Sequence, residues 1–229
     1  MLYMPFDPLY VYLVLPAILF AMLAQFMVSG SFKKYSKQLT SKRITGAEAA
    51  REVLRYAGVS DVRIERVRGN LTDHFDPRSN VIRLSDSVFD APTVAAVGVA
   101  AHEAGHAIQY AVSYAPIKIR MAILPVTSIG SKLAMPLAIF GFAFELTGLI
   151  NLAILLFGAV VVFQLITLPV EFNASGRAVE ALRDTKLLTF EELPGSKKVL
   201  TAAALTYVGA LAVSLMQLLR FVLLARRRR

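Results

Sequence analysis

The chain has no cysteine, no tryptophan and only three histidines in 229 residues, and charged side chains make up just 18% of it. Without cysteine there is no disulfide framework, no zinc–thiolate cluster and no catalytic thiol. A transition-metal site would have to be built from His, Asp and Glu. The scarcity of charge, set against 56% hydrophobic residues and a mean hydropathy of +0.57, excludes an ordinary soluble domain and points to a membrane protein. A net charge of +9 suits nucleic acid or an anionic membrane surface. Here the basic residues flank apolar segments, which favours the lipid bilayer as partner and argues against nucleic acid.

Residues 9–28 carry no charge and match the roughly 20 residues a helix needs to cross a hydrocarbon core. Residues 1–10 contain no Lys or Arg, so this segment reads as a retained anchor rather than a cleaved signal. Further apolar stretches at 121–144, 149–170 and 200–225 bring the expected number of transmembrane helices to about four. Residues 1–29 form the N-terminal span. Residues 30–120 are a polar insert, 121–170 a helical hairpin, 171–199 a second polar segment, and 200–229 a last transmembrane or re-entrant helix with a basic tail.

Fourteen Lys or Arg lie between Ser29 and Met121 and five between Glu171 and Lys198, which places both polar segments in the cytoplasm. The four terminal arginines oppose that arrangement if all four segments cross. Arg220 inside the last segment suggests embedding against protein.

Within the insert, Thr45 followed by GAEAAREVLRYAG predicts a short amphipathic helix ending at Gly58. VRIERV, LTDHF and VIRLS predict two or three short antiparallel strands, with DPRSN as a turn. The Ala-rich run after Pro92 predicts a helix, and HEAGH lies in its middle.

On a helix, residues four apart share a face. His102 and His106 can therefore present two imidazole nitrogens to one metal ion with Glu103 beside them. Zinc needs a third protein ligand and one open position for water, and Glu103 is then the general base. Two residues compete for the third place. Glu171 returns to the membrane face that the His106 helix left if 121–170 is a hairpin, and a helix is expected just after Pro169. His74 is the rival. If it is not a ligand, His74 is either an oxyanion stabiliser or a turn-flanking residue held by Asp73 or Asp76. Arg177 and Tyr207 are further oxyanion candidates, with pairing to Glu180 or Asp184 the plainer role for Arg177.

HEAGHAIQ, together with VAAVGVAA, LTDHFDPRSNVIRLS, EFNASGRA and TAAALTYVGA, resembles the YugP family of neutral zinc metallopeptidases of bacterial membranes over essentially the whole chain. The resemblance implies one zinc ion per chain held by His102, His106 and Glu171, with Glu103 catalytic and the site facing the cytoplasm of a prokaryotic plasma membrane. A more distant similarity to HtpX-type proteases implies an Asp four residues after the ligand Glu. Ser175 stands there instead, with Asn173 nearer, which leaves the groups orienting the imidazoles to be identified.

The expected protein is an α-helical membrane protein with an α+β zincin-like cytoplasmic metalloprotease domain, cutting membrane-associated protein or peptide substrates. A strand edge, NVIRLS or LTDHF, would hold the extended peptide. A zinc hydrolase of a lipid or small amide, and a non-catalytic zinc-binding membrane scaffold, are the alternatives.

Overall fold

The computed structural model describes residues 7–227. A π-helical turn, Tyr10–Val14, runs into α1, Leu15–Tyr35. Next come α2 (Gly46–Tyr56), β1 (Arg63–Val67), β2 (His74–Asp76), β3 (Val81–Ser85) and α3 (Val94–Ala111). Three long helices close the chain: α4 (Ala115–Ala143), α5 (Thr147–Asp184) and α6 (Leu193–Arg226).

The chain divides into two compact units. One comprises Met1–Ala24, Ile119–Leu168 and Leu205–Arg229, and the other Gln25–Lys118 and Pro169–Ala204. Four helices, Tyr10–Tyr35, Ala115–Ala143, Thr147–Asp184 and Leu193–Arg226, are long and apolar enough to cross a membrane, and at most 22% of their most apolar windows is buried against protein. Side chains such as Phe26, Ile129, Leu155 and Leu165 are left exposed. Apolar surface on that scale belongs in lipid rather than water.

Inside the first unit, Phe221 of α6 packs edge-to-face on Phe157 of α5 at 5.4 Å and near Phe142 of α4 at 6.0 Å. Arg220, only 2% exposed, has a partner for its charge: its Nη2 lies 2.8 Å from the Asp7 carboxylate. The arginine foreseen as embedded is thus buried within protein. A buried guanidinium demands such a partner, since desolvating an isolated charge costs far more than packing returns.

In the second unit, the amphipathic helix appears where its pattern places it. Thr45 accepts the Glu48 amide, and the Glu48 side chain reaches back to the Thr45 amide, completing a capping box. Gly58 follows with φ 71°, the left-handed conformation in which glycine ends helices. Ala49, Ala50, Val53 and Leu54 enter a core with Ile82, Leu84 and the Ala-rich face of α3.

The three-stranded sheet has the order β1-β3-β2. It is mixed rather than antiparallel throughout, because β3 pairs in parallel with β1 and antiparallel with β2. The DPRSN turn joins β2 to β3 as a hairpin, whereas residues 68–73 carry the chain from β1 past the end of β3 to β2, so β3 comes to lie between the two. In that turn, Asp76 accepts from the Arg78 amide at 3.0 Å, the Ser79 hydroxyl at 2.7 Å and Arg83 at 3.0 Å.

The helix expected to begin after Pro169 is instead the continuation of α5, which runs through Pro169 without a break. Proline removes one amide donor from a helix. The remaining hydrogen bonds of 38 residues carry the helix past it.

Replacing Thr45 by Ala removes one half of the capping box. It should lower stability by about 1 kcal/mol, read as a reduced thermal midpoint in detergent. The donors from Ser79, Arg83 and Arg78 hold the Asp76 carboxyl below the ordinary carboxylate range. Such a group stabilises the fold above its unfolded-state pKa of about 3.9, and that contribution is lost as pH falls through the lowered folded value. Asp76→Asn should therefore flatten the decline of the thermal midpoint on acidification below about pH 4.

Candidate metal centre

α3 opens at Thr93, whose hydroxyl accepts the Ala96 amide. From there it runs as a nearly unbroken series of small residues, and Ala100, Ala101, Ala104, Ala107 and Gly105 are all buried. Small side chains let a second helix approach closely. The two helices come close at Gly105, where a Cβ would stand 2.5 Å from the Ala174 carbonyl oxygen of α5. That neighbour is backbone and cannot rotate aside.

The approach aligns the two His of α3 with the acid of α5. His102 Nε2 lies 3.3 Å and His106 Nε2 3.5 Å from the same oxygen, Oε2, of Glu171. The two imidazole rings stand edge-to-face, with centroids 4.6 Å apart. The three ligand atoms all fall within 4.8 Å of one another.

Zinc fits these residues on two counts. Donor atoms set tetrahedrally about an ion at about 2.0–2.1 Å are about 3.3–3.4 Å apart, close to both observed separations, whereas direct charge-assisted hydrogen bonds contract to about 2.7–2.9 Å. Glu171 is also 1% exposed, and a carboxylate so far from water calls for cationic compensation.

Glu103, next to His102 on α3, is buried at 8% exposure. Asp73, just ahead of β2, accepts from the Ser85 amide at 2.7 Å and its hydroxyl at 2.9 Å. Burial pushes the Asp73 carboxyl above the usual carboxylate range; the Ser85 donors oppose that shift, and the negative charge of Glu103 adds to it. A second acid therefore lies within electrostatic reach of the candidate base.

Behind the candidate ligand atoms, His102 Nδ1 meets the Ser175 hydroxyl at 3.1 Å and His106 Nδ1 meets Gln109 Oε1 at 3.1 Å. Position 175, where the HtpX-type pattern has an acid, thus holds a neutral hydroxyl in contact with the His102 imidazole. Gln109 was not singled out from the sequence. A signal was there: it is the one other polar side chain on the His102–His106 face of an apolar helix, at the i, i+4, i+7 spacing.

The other candidates make local contacts of their own. His74 is exposed, and its Nδ1 faces the Thr72 carbonyl at 2.8 Å rather than Asp73 or Asp76. Arg177, half-buried on α5, donates from Nε to Asn173 Oδ1 at 2.9 Å. Tyr207 lies on α6 in the other unit.

Gly105→Ala should hold α3 and α5 apart and lower zinc content at least tenfold while leaving the helical circular-dichroism signal in place. Elemental analysis of the purified chain reads the outcome, and an unchanged zinc content would separate the helix approach from ligand placement.

Residues 10–226 match the model of a family described as "putative neutral zinc metallopeptidase". The chain is 47% identical over 216 residues to the "putative membrane protease YugP" of Bacillus subtilis (strain 168), covering 94% of this chain and 96% of that one. No solved structure matches it.

Proposed function

The chain belongs to the neutral zinc metallopeptidase family, and from that premise we propose that it is a membrane-embedded zinc endopeptidase cutting proteins at the cytoplasmic face of a bacterial plasma membrane. The observation that carries the proposal is the Glu171 carboxylate within 3.5 Å of both imidazoles, on a helix continuous with an apolar segment. His102, His106 and Glu171 would hold the metal. When bound, zinc polarises the scissile carbonyl and acidifies water so that a nucleophile is available near neutral pH.

The protein's own groups do the rest. Glu103 takes the proton of the attacking water and passes it to the departing amine. Its burial keeps the exchange away from bulk solvent, where a proton would be lost to competing acceptors. His74 and Arg177 are proposed to stabilise the oxyanion as it develops.

The strand order supports a position for the substrate. β3 is paired on both sides, so of the two stretches expected to offer an edge only LTDHF, whose last two residues begin β2, lies at one. β2 also packs on the catalytic helix, where Phe75 lies 6.0 Å from Tyr110. A peptide added to that edge as a further strand presents its carbonyls in an extended form. The second unit, with its sheet and HEAGH helix, is proposed as the zincin-like cytoplasmic domain.

Glu103→Gln should bind zinc as the unaltered chain does and cleave unfolded casein at least ~10²-fold more slowly, the usual contribution of a general base. Cleavage at the original rate would remove Glu103 from the mechanism. Stripping the metal with a chelator should abolish cleavage, and adding zinc back should restore it.

A further inference from the structure

Gln109 is shut off from bulk solvent. It is 0% exposed in the last turn of α3, and all its polar contacts are to protein. The orientation of a side-chain amide is normally ambiguous because nitrogen and oxygen look alike; here its neighbours decide it. One end of the amide lies 2.8 Å from the Val170 carbonyl oxygen and 3.0 Å from Asn173 Oδ1. A carbonyl oxygen only accepts, so the group facing Val170 is the Gln109 NH2. The Asn173 amide is set in the same way, since Arg177 Nε, which can only donate, lies 2.9 Å from that same Oδ1.

The other end of Gln109 is then Oε1, which faces His106 Nδ1 at 3.1 Å. An amide oxygen cannot donate, so Nδ1 must carry hydrogen. A neutral imidazole with hydrogen on Nδ1 has its lone pair on Nε2, the atom that approaches Glu171.

We propose that Gln109 is a positioning residue for the metal centre. It sets the tautomer and ring orientation of His106, and its own amide is set in turn by Val170 and by the Asn173–Arg177 pair. The proposal rests on the zinc-metallopeptidase reading and goes further by assigning the group that prepares one ligand. Zinc-bound imidazoles commonly donate to a carboxylate or a carbonyl; the group here is a neutral amide oxygen, so the compensating negative charge comes from Glu171.

Zinc affinity, measured on the full chain in detergent by competition with a chromogenic chelator, tests it without reference to activity. Gln109→Met keeps the volume and removes every polar atom, and should weaken zinc binding 10- to 100-fold, the usual effect of losing such a group. Gln109→Glu keeps an acceptor for His106 Nδ1 while losing both amide donors, and should return affinity to within a few-fold of the original. A merely structural strut between α3 and α5 would not be rescued, because its donors are gone. Equal losses in the two variants, or original affinity in Gln109→Met, would overturn the proposal. If Gln109→Met loses its helical circular-dichroism signal, Asn173→Leu carries the test. It leaves Gln109 in place with one acceptor fewer and should weaken zinc several-fold, and unchanged affinity would again overturn the assignment. An unaltered chain that takes up no zinc would overturn the metallopeptidase reading as well. A chain that binds zinc and is indifferent to position 109 would overturn only this inference.

Discussion

The site depends on the distance between two helix backbones. α3 and α5 meet where Gly105 faces the Ala174 carbonyl, and no side chain fits between them. Because the contact is backbone on glycine, it acts as a stop of fixed depth, unlike a contact between long side chains that can adjust by rotation. Glu171 lies one helical turn before Ala174, and His102 and His106 flank Gly105. The same stop therefore sets how far the carboxylate stands from the two imidazoles. A shift of an ångström along either helix would change both separations.

Electrostatics gives that spacing its meaning. Glu171 and Gln109 are among the most deeply buried polar groups of the chain, and each is met by polar groups of the protein. The carboxylate and two imidazoles form the inner layer. Ser175 and Gln109, both uncharged, form the next. A doubly charged ion would meet one formal negative charge among its ligands, which keeps it strongly polarising. Arg177, a cation in the surrounding network, donates from Nε to Asn173.

α5 divides its labour along its length. Its first part, through Leu168, belongs to the apolar unit, and from Pro169 onward it belongs to the unit that holds the metal candidates. An apolar helix surface in lipid needs only hydrophobic residues of sufficient length, whereas the part from Val170 to Arg183 must offer Glu171, Ala174, Ser175 and Ala178 to one neighbour. Running without interruption through Pro169, the helix gives Glu171 a rigid mount that a loop would lack.

Periodicity and local chemistry make much of this chain legible without coordinates. The capping box at Thr45–Glu48, the stop at Gly58, the hairpin turn at Asp76–Asn80, the apolar segments and the HEAGH helix are all local patterns. Each depends on neighbours within four or five residues, so each can be read from the order of residues. The carboxylate partner was accessible through the same reasoning joined to the family resemblance. Parallel pairing of β1 with β3 was not, because strand direction in a sheet is a property of the path between strands. Nor were the partners of Ser175, Asn173 and Gln109, which lie 61 to 73 residues away on the other helix. Composition and spacing by themselves determined that the chain carries lipid-compatible helices and a two-histidine metal motif, since both follow from side-chain chemistry repeated along a single element. Only the tertiary structure decided which oxygen meets those histidines and which amide turns one of them toward it. Those facts depend on how closely two distant helices pack, and that distance is written in no single segment of the sequence.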